Sequence, residues 1–162
     1  NLTIDFVLKH LDKKWNWSCI SKHSNITMDD IDQHLKLPWD WEFGVSRNPN
    51  VSFDFIEKHP DKPWSGSMLS SLPKLAVDFV VKHPAWKWDW RSLTRHDNIT
   101  MDDIDQHPEL PWDWCDGMLK NRNLTIGFVL KHLDKDWDWL NVSSHANITM
   151  DDIDQHPGIG KL

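Results

Sequence analysis

Apolar and polar positions recur in the same order along the chain every 24 or 25 residues, so the elements can be predicted one repeat at a time. In the first half of a repeat the stretches LTIDF and VSFDF alternate as a strand would, yet Ile4, Val7, Leu8 and Leu11 follow helical spacing. The equivalent stretch elsewhere reads MDDIDQH, and Asp is disfavoured in strands. Equivalent positions share one structure, and only the helix fits both versions. Thr27, Thr100 and Thr149 stand at the N-cap, with Asp30, Asp103 and Asp152 three residues on, as in a capping box with Asp in place of Glu. Asp29, Asp102 and Asp151 suit the positive helix start. Pro60, Pro84, Pro108 and Pro157 then stop the helix.

The second half opens at Pro38-Trp39, Pro63-Trp64 and Pro111-Trp112, which predicts a helix with Pro in its first turn. Trp15, Cys19 and Ile20, or Trp88, Ser92 and Leu93, fall on one face, and Asp40, Asp89, Asp113 and Asp138 are expected to point to solvent. Asn48-Pro49 signals the closing turn. Two helices this short, α or 3-10, are not stable alone and must bury their apolar faces on a neighbouring repeat. The expected fold class is therefore all-α, an α-solenoid of six and a half repeats with two short helices each. A strand-containing solenoid is the alternative.

In register, the repeats span 1–24, 25–49, 50–73, 74–97, 98–122, 123–146 and 147–162, forming a single repeat domain over 1–162. Two flavours mostly alternate: NLTIDFVLKH (1–10) returns as NLTIGFVLKH (123–132), and NITMDDIDQH (25–34) returns at 98–107 and 147–156. A His stands tenth in every repeat: His10, His34, His59, His83, His107, His132 and His156. Fifteenth in each complete repeat is a Trp: Trp15, Trp39, Trp64, Trp88, Trp112 and Trp137. Seventeenth is Trp17, Trp41, Trp90, Trp114 or Trp139, with Gly66 the exception.

The stretch NPNVSFDFIEKHPDKPW (48–64), together with PWDW and Asn-Ile-Thr elsewhere, resembles tandem repeat proteins encoded by giant DNA viruses of the mimivirus kind. The resemblance covers essentially the whole chain and implies a viral origin more than an activity. The period, and the Asn-Pro followed by a capped helix, are also similar to the leucine-rich-repeat variant family, which implies a solenoid of α and 3-10 helices. The chain lacks that family's Val-Arg signature and carries Trp instead.

Composition changes the picture only at its margins. A net charge of −7 gives no help in binding phosphate backbones, so no nucleic-acid partner is expected. No apolar run is long enough to span a bilayer, so no membrane partner is expected. Cys19 and Cys115 lie at non-equivalent positions and read as buried or half-buried free thiols in a reducing compartment. An intracellular or virion location is thus favoured over secretion, and the Asn-x-Ser/Thr sequons read as turns and caps. A chain starting at Asn1 without Met reads as processed or as a piece of something longer.

The His row invites a metal reading, but adjacent helices stand roughly 8–10 Å apart, too far for equivalent imidazoles to share one ion. The expected role is a helix C-terminal residue bonded to loose carbonyls. Trp at position fifteen reads as core. Trp17, Trp41, Trp90, Trp114 and Trp139 are the candidate binding face if exposed, for sugars or another ligand. Asp29-Asp30-x-Asp32 lacks the Gly turn and distal Glu of a Ca²⁺ loop. No nucleophile–base pair, phosphate-cradling loop or zinc-type Cys cluster appears, so neither an enzyme nor a cofactor is expected. A structural or protein-interaction scaffold is the expected function, with a carbohydrate- or metal-binding module as the alternative. Neither end shows a polar cap, so the expected partner is protein: another copy stacked end to end, or a different chain.

Overall fold

The computed structural model describes residues 2–155, and His156 with the tail after it lies outside the described residues. The described residues are helical and contain no strand. The chain divides into two compact bodies, Asn1–Leu69 and Ser70–Leu162, the division falling inside the repeat 50–73.

Every repeat opens with a six-residue helix: α1 Ile4–Lys9, α3 Met28–Gln33, α4 Phe53–Lys58, α6 Val77–Lys82, α8 Met101–Gln106, α9 Ile126–Lys131 and α11 Met150–Gln155. Residue three caps it. Thr27 and Thr100 complete the capping box with Asp30 and Asp103, and Thr149 and Asp152 make the same exchange. Thr3, Ser52 and Thr125 accept one backbone N–H each, whereas Ala76 has no side chain with which to do so. The tenth-position His is the C-cap in all six complete repeats. Leu11, expected to extend α1, lies beyond this cap and is exposed, because the helix has already ended at Lys9.

Helices of six residues owe their stability to burial of one face. That face is residue seven of the repeat (Val7, Ile31, Ile56, Val80, Ile104, Val129), backed by residue two (Ile26, Leu75, Ile99, Leu124), all wholly or almost wholly buried. The second half adds Ile20, Val45 and Leu69 in the N-terminal body, and Leu93, Met118 and Val142 in the C-terminal body.

The Pro-Trp pair does not begin the second helix. The chain turns tightly there: the Trp39 N–H donates to the Leu37 carbonyl two residues back (2.8 Å), and Trp64 and Trp112 repeat this bond across their prolines. The helix starts after the next residue, as α2 Trp17–Ser21, α5 Gly66–Leu69, α7 Trp90–Thr94 and α10 Trp139–Ser143. The Asp expected to face solvent is its N-cap. Asp89 accepts from the Ser92 N–H and Asp138 from those of Leu140 and Asn141, with Asn16 playing the same part for Cys19. Asp89 holds its proton less tightly than an ordinary carboxyl: a hydrogen bond from the Ser92 hydroxyl is the largest cause, burial opposes it, and the Ser92 N–H adds to it.

In repeats 25–49 and 98–122 the second half is a set of turns ending in a 3-10 helix, Val45–Arg47 or Met118–Lys120. These are the 25-residue repeats, and the extra residue is Gly44 or Gly117. In 24-residue repeats the core residue's N–H bonds the cap carbonyl four back, as in Ile20 to Asn16 (3.0 Å) and Leu93 to Asp89 (2.9 Å). With the glycine inserted the same bond runs five back, Val45 to Asp40 (2.7 Å) and Met118 to Asp113 (2.9 Å). Only glycine fits. A Cβ on Gly44 would meet Ser21 Cβ at 2.5 Å and the Asp40 carbonyl oxygen at 2.6 Å, and one on Gly117 would meet Thr94 Cβ at 2.9 Å.

Candidate functional site: the junctions between repeats

The His and Trp rows meet inside each repeat. The indole N–H of the fifteenth-position Trp donates to the carbonyl of the tenth-position His at 2.7–3.0 Å in all six complete repeats: Trp15 to His10, Trp39 to His34, Trp64 to His59, Trp88 to His83, Trp112 to His107 and Trp137 to His132. The bond closes the loop between the two halves and satisfies the one polar atom of a large apolar side chain. Trp39, Trp64, Trp88, Trp112 and Trp137 are buried, and Trp15 is half-buried. The His backbone therefore carries the regularity, and the rings differ in what they touch. His10, His59, His83 and His132 each lie against the Phe four residues earlier, at centroid distances of 4.4–4.7 Å. His107 Nδ1 stands 3.3 Å from Glu109, and His34 is half-buried.

The seventeenth-position Trp residues are all half-buried. Four pack edge-on against the fifteenth-position Trp of the next repeat: Trp17 on Trp39, Trp41 on Trp64, Trp90 on Trp112 and Trp114 on Trp137, at 5.4–5.9 Å and 87–90°. Trp41 also stacks on Phe55 at an interplanar angle of 8°, and Trp114 on Phe128 at the same angle. Lys62 and Lys135 place their ammonium groups over these two indoles at 5.5 and 5.1 Å.

Both of these junctions join an Asp-flavoured repeat to the Phe-flavoured repeat after it, and each carries an ion cluster. Asp32 pairs with Lys58 and with His59 Nε2 (2.9 Å). Asp105 pairs with Lys131 (2.6 Å) and His132 (2.7 Å). Asp32 sits below the usual carboxylate range because of the Lys58 hydrogen bond first, opposed by partial burial and helped by His59. At Asp105 burial is the largest influence and acts upward, but Lys131 and His132 together outweigh it and the net direction is down.

A buried polar row, of which the sequence reading singled out only the Asn48 turn, completes the junction. Ser21, Ser46, Ser70 and Thr94 have no exposed surface. Each hydroxyl accepts the N–H of the cap residue nineteen positions on: Asp40, Ser65, Asp89 and Asp113, at 2.9–3.1 Å. Asn48 and Asn121 are likewise fully buried. Asn48 Nδ2 donates to the carbonyls of Ser21 (2.8 Å) and Ile26 (3.0 Å), and its Oδ1 accepts from the Asn50 N–H (2.8 Å). Asn121 repeats the pattern with Thr94, Ile99 and Asn123. The sequon residues Asn25, Asn50, Asn123 and Asn147 also donate to carbonyls at the start of the previous repeat (Leu2) or on the residue just ahead of it (Ser24, Asp97 and Arg122). The signal was in the sequence as a Ser or Thr at the same place in five repeats, but small polar residues also mark exposed turns.

Cys19 and Cys115, expected to be at least half-buried, are free and exposed, because each stands on the outer side of a second half whose neighbouring Ile20 or Met118 takes the core position. Among the described residues no three His, Cys, Asp or Glu side chains are grouped to hold a metal ion, and no helix is long and apolar enough to cross a membrane. No family model, curated protein or solved structure matches the chain.

Proposed function

We propose that this chain is an α-solenoid scaffold of the giant-virus tandem-repeat kind, binding proteins through repeat-to-repeat junctions and performing no catalysis. The observation that carries the reading is the junction itself. Where an Asp-flavoured repeat precedes a Phe-flavoured one, a Trp covers the Phe and an Asp receives the Lys-His pair. The head of repeat 1–24 offers the receiving half of the same junction. Its Phe6 is 48% exposed where Phe55 and Phe128 are at most 7%, and Lys9 and His10 stand where Lys58-His59 and Lys131-His132 stand. A second copy offers the carboxylate part of that junction at 147–155, with Asp154 exposed at the position of Asp32 and Asp105; residues 147–162 hold no Trp, so the contact offered there is the Asp to the Lys9-His10 pair beside Phe6. Head-to-tail association follows the register already used within the chain.

Sedimentation of the full chain from micromolar to millimolar concentration tests this. A mass that grows with concentration is expected, and Phe6→Asp should abolish the growth without altering the helical signal. A chain that stays monomeric throughout, or growth that is indifferent to Phe6→Asp, overturns self-association through this face.

A further inference from the structure

The repeat is most visibly broken at Lys74. Six repeats begin with Asn, and this one begins with Lys. Lys74 is also the one non-glycine residue with a left-handed backbone among the described residues, at φ 64°. None of the described Asn residues that open the other repeats takes that backbone, so the chain turns differently ahead of α6, and it does so on a Lys, which favours the left-handed region less than Asn does. Lys74 lines a groove of about 640 Å³ in the C-terminal body, together with Arg95, Lys120 and Arg122. One carboxylate, Asp97, lines it with them. Arg95 is the C-cap of α7 and Lys120 the last residue of the 3-10 helix Met118–Lys120, so successive repeats place the two cations on one edge. Lys120 is paired with Asp116 at 2.6 Å and Arg122 with Asp97 at 3.4 Å. Neither Lys74 nor Arg95 has a carboxylate within ion-pairing distance among the described residues, and Arg95 makes one long contact, 3.4 Å, to the Ser92 hydroxyl.

We propose that this groove binds a compact polyanion bearing two or more phosphate or sulfate groups, held chiefly by Lys74 and Arg95. Guanidinium and ammonium groups on separate turns suit charges spread over several oxygens. The volume suits a small molecule. The chain's net charge of −7 works against a long polyanion, whose phosphates beyond the groove would meet acidic surface, so a compact ligand is favoured over nucleic acid. The site is independent of the head-to-tail reading, because none of its residues belongs to either end.

The test is calorimetric titration of the full chain with sodium tripolyphosphate, orthophosphate and a single-stranded oligonucleotide, beside the variants Lys74→Asn and Arg95→Ser. Both substitutions introduce residues that other repeats carry at the same place, so folding is retained, and Lys74→Asn should raise the melting temperature. Saturable tripolyphosphate binding is expected, weakened about tenfold by either variant, the loss of one charge-assisted contact. Orthophosphate should bind more weakly, and binding should fall as salt rises. Absence of saturable tripolyphosphate binding at millimolar concentration overturns the proposal. So does binding that the folded double variant retains in full, or an oligonucleotide that binds more tightly than tripolyphosphate.

Discussion

Repeats 74–97 and 98–122 follow one another in the C-terminal body and close their second halves by different means. The first uses a regular helix, α7, and ends in His96. The second inserts Gly117, gives up the α-helix and ends in Asn121. Yet His96 and Asn121 occupy one position once the glycine is set aside, and both act as a donor and an acceptor at once. His96 Nδ1 accepts from the Asn98 N–H (3.2 Å) while Nε2 donates to the Leu72 carbonyl (2.9 Å), which requires the neutral ring protonated on Nε2. Asn121 accepts from the Asn123 N–H and donates to Thr94 (2.7 Å) and Ile99 (2.9 Å). The constraint is thus on where a donor and an acceptor stand. Helix type and residue identity are free to vary around it.

The sharpest way to break that equivalence is to remove each tie. Asn121 is wholly buried, and Asn121→Ala leaves the Thr94 and Ile99 carbonyls and the Asn123 N–H without this partner, a loss of about 3 kcal/mol. His96 is half-buried, and His96→Asn keeps an acceptor near Nδ1 while losing the reach to Leu72, a loss of about 1 kcal/mol. Urea unfolding followed by Trp fluorescence measures both, and equal losses would show that burial does not set the two ties apart.

The inserted glycine gives the next test. Gly117→Ala drives a Cβ against Thr94 Cβ and to 3.1 Å from the Arg91 carbonyl oxygen, an overpacking cost of about 2 kcal/mol. Gly127→Ala is the control: the nearest atom is Thr125 Oγ1 at 4.0 Å, and the change in stability should stay within about 0.5 kcal/mol. Deleting Gly117 converts the repeat to the 24-residue pattern. If the glycine is a true insertion, the deletion variant should melt at a higher temperature than Gly117→Ala, and the reverse order would refute that alignment.

These residues also mark the limit of what the sequence revealed. The capping boxes at Thr27 and Thr100 were legible because a hydroxyl and a carboxylate three residues apart have one common use at a helix start. The end of the first helix at His was legible from the proline that follows it in several repeats. Asp89 and Asp138 were misread, because an Asp flanked by two Trp looks like the polar face of a helix that has already begun. The Pro-Trp turn delays that start by three residues, from Pro63 to Gly66. Asn48 and Asn121 were read as turn formers. They do sit at turns, but burial by the preceding repeat converts the side chain into a tie, and burial between repeats is a tertiary fact that no single repeat records. The seventeenth-position Trp row was left open between packing and binding, and the edge-on contacts of Trp41 and Trp114 could be known only once the next repeat was in place.

The smallest expected effect separates the two repeats at the junctions ahead of them. Residue eight of repeat 98–122 is Asp105, bonded to Lys131 and His132, whereas residue eight of repeat 74–97 is the exposed Val81. Asp105 and its counterpart Asp32 both have carboxyl pKa values lowered by folding. A lowered value means that the unfolded chain binds the proton more readily than the folded one. The stabilisation is therefore complete above the ordinary carboxylate range, and it is lost as pH falls from about 4 toward the depressed folded values. The clusters are solvent-accessible, so the contribution is small and weakened by salt. Asp105→Asn should flatten the fall in melting temperature below pH about 4, and Val81→Asp should leave it unchanged, because residues nine and ten of the following repeat are Gln106 and His107 and no lysine is present to receive the carboxylate. An acid transition equally steep in Asp105→Asn and the parent chain would mean that this cluster adds nothing to the junction, leaving the Trp114–Phe128 stack and the Trp114–Trp137 edge contact to hold it.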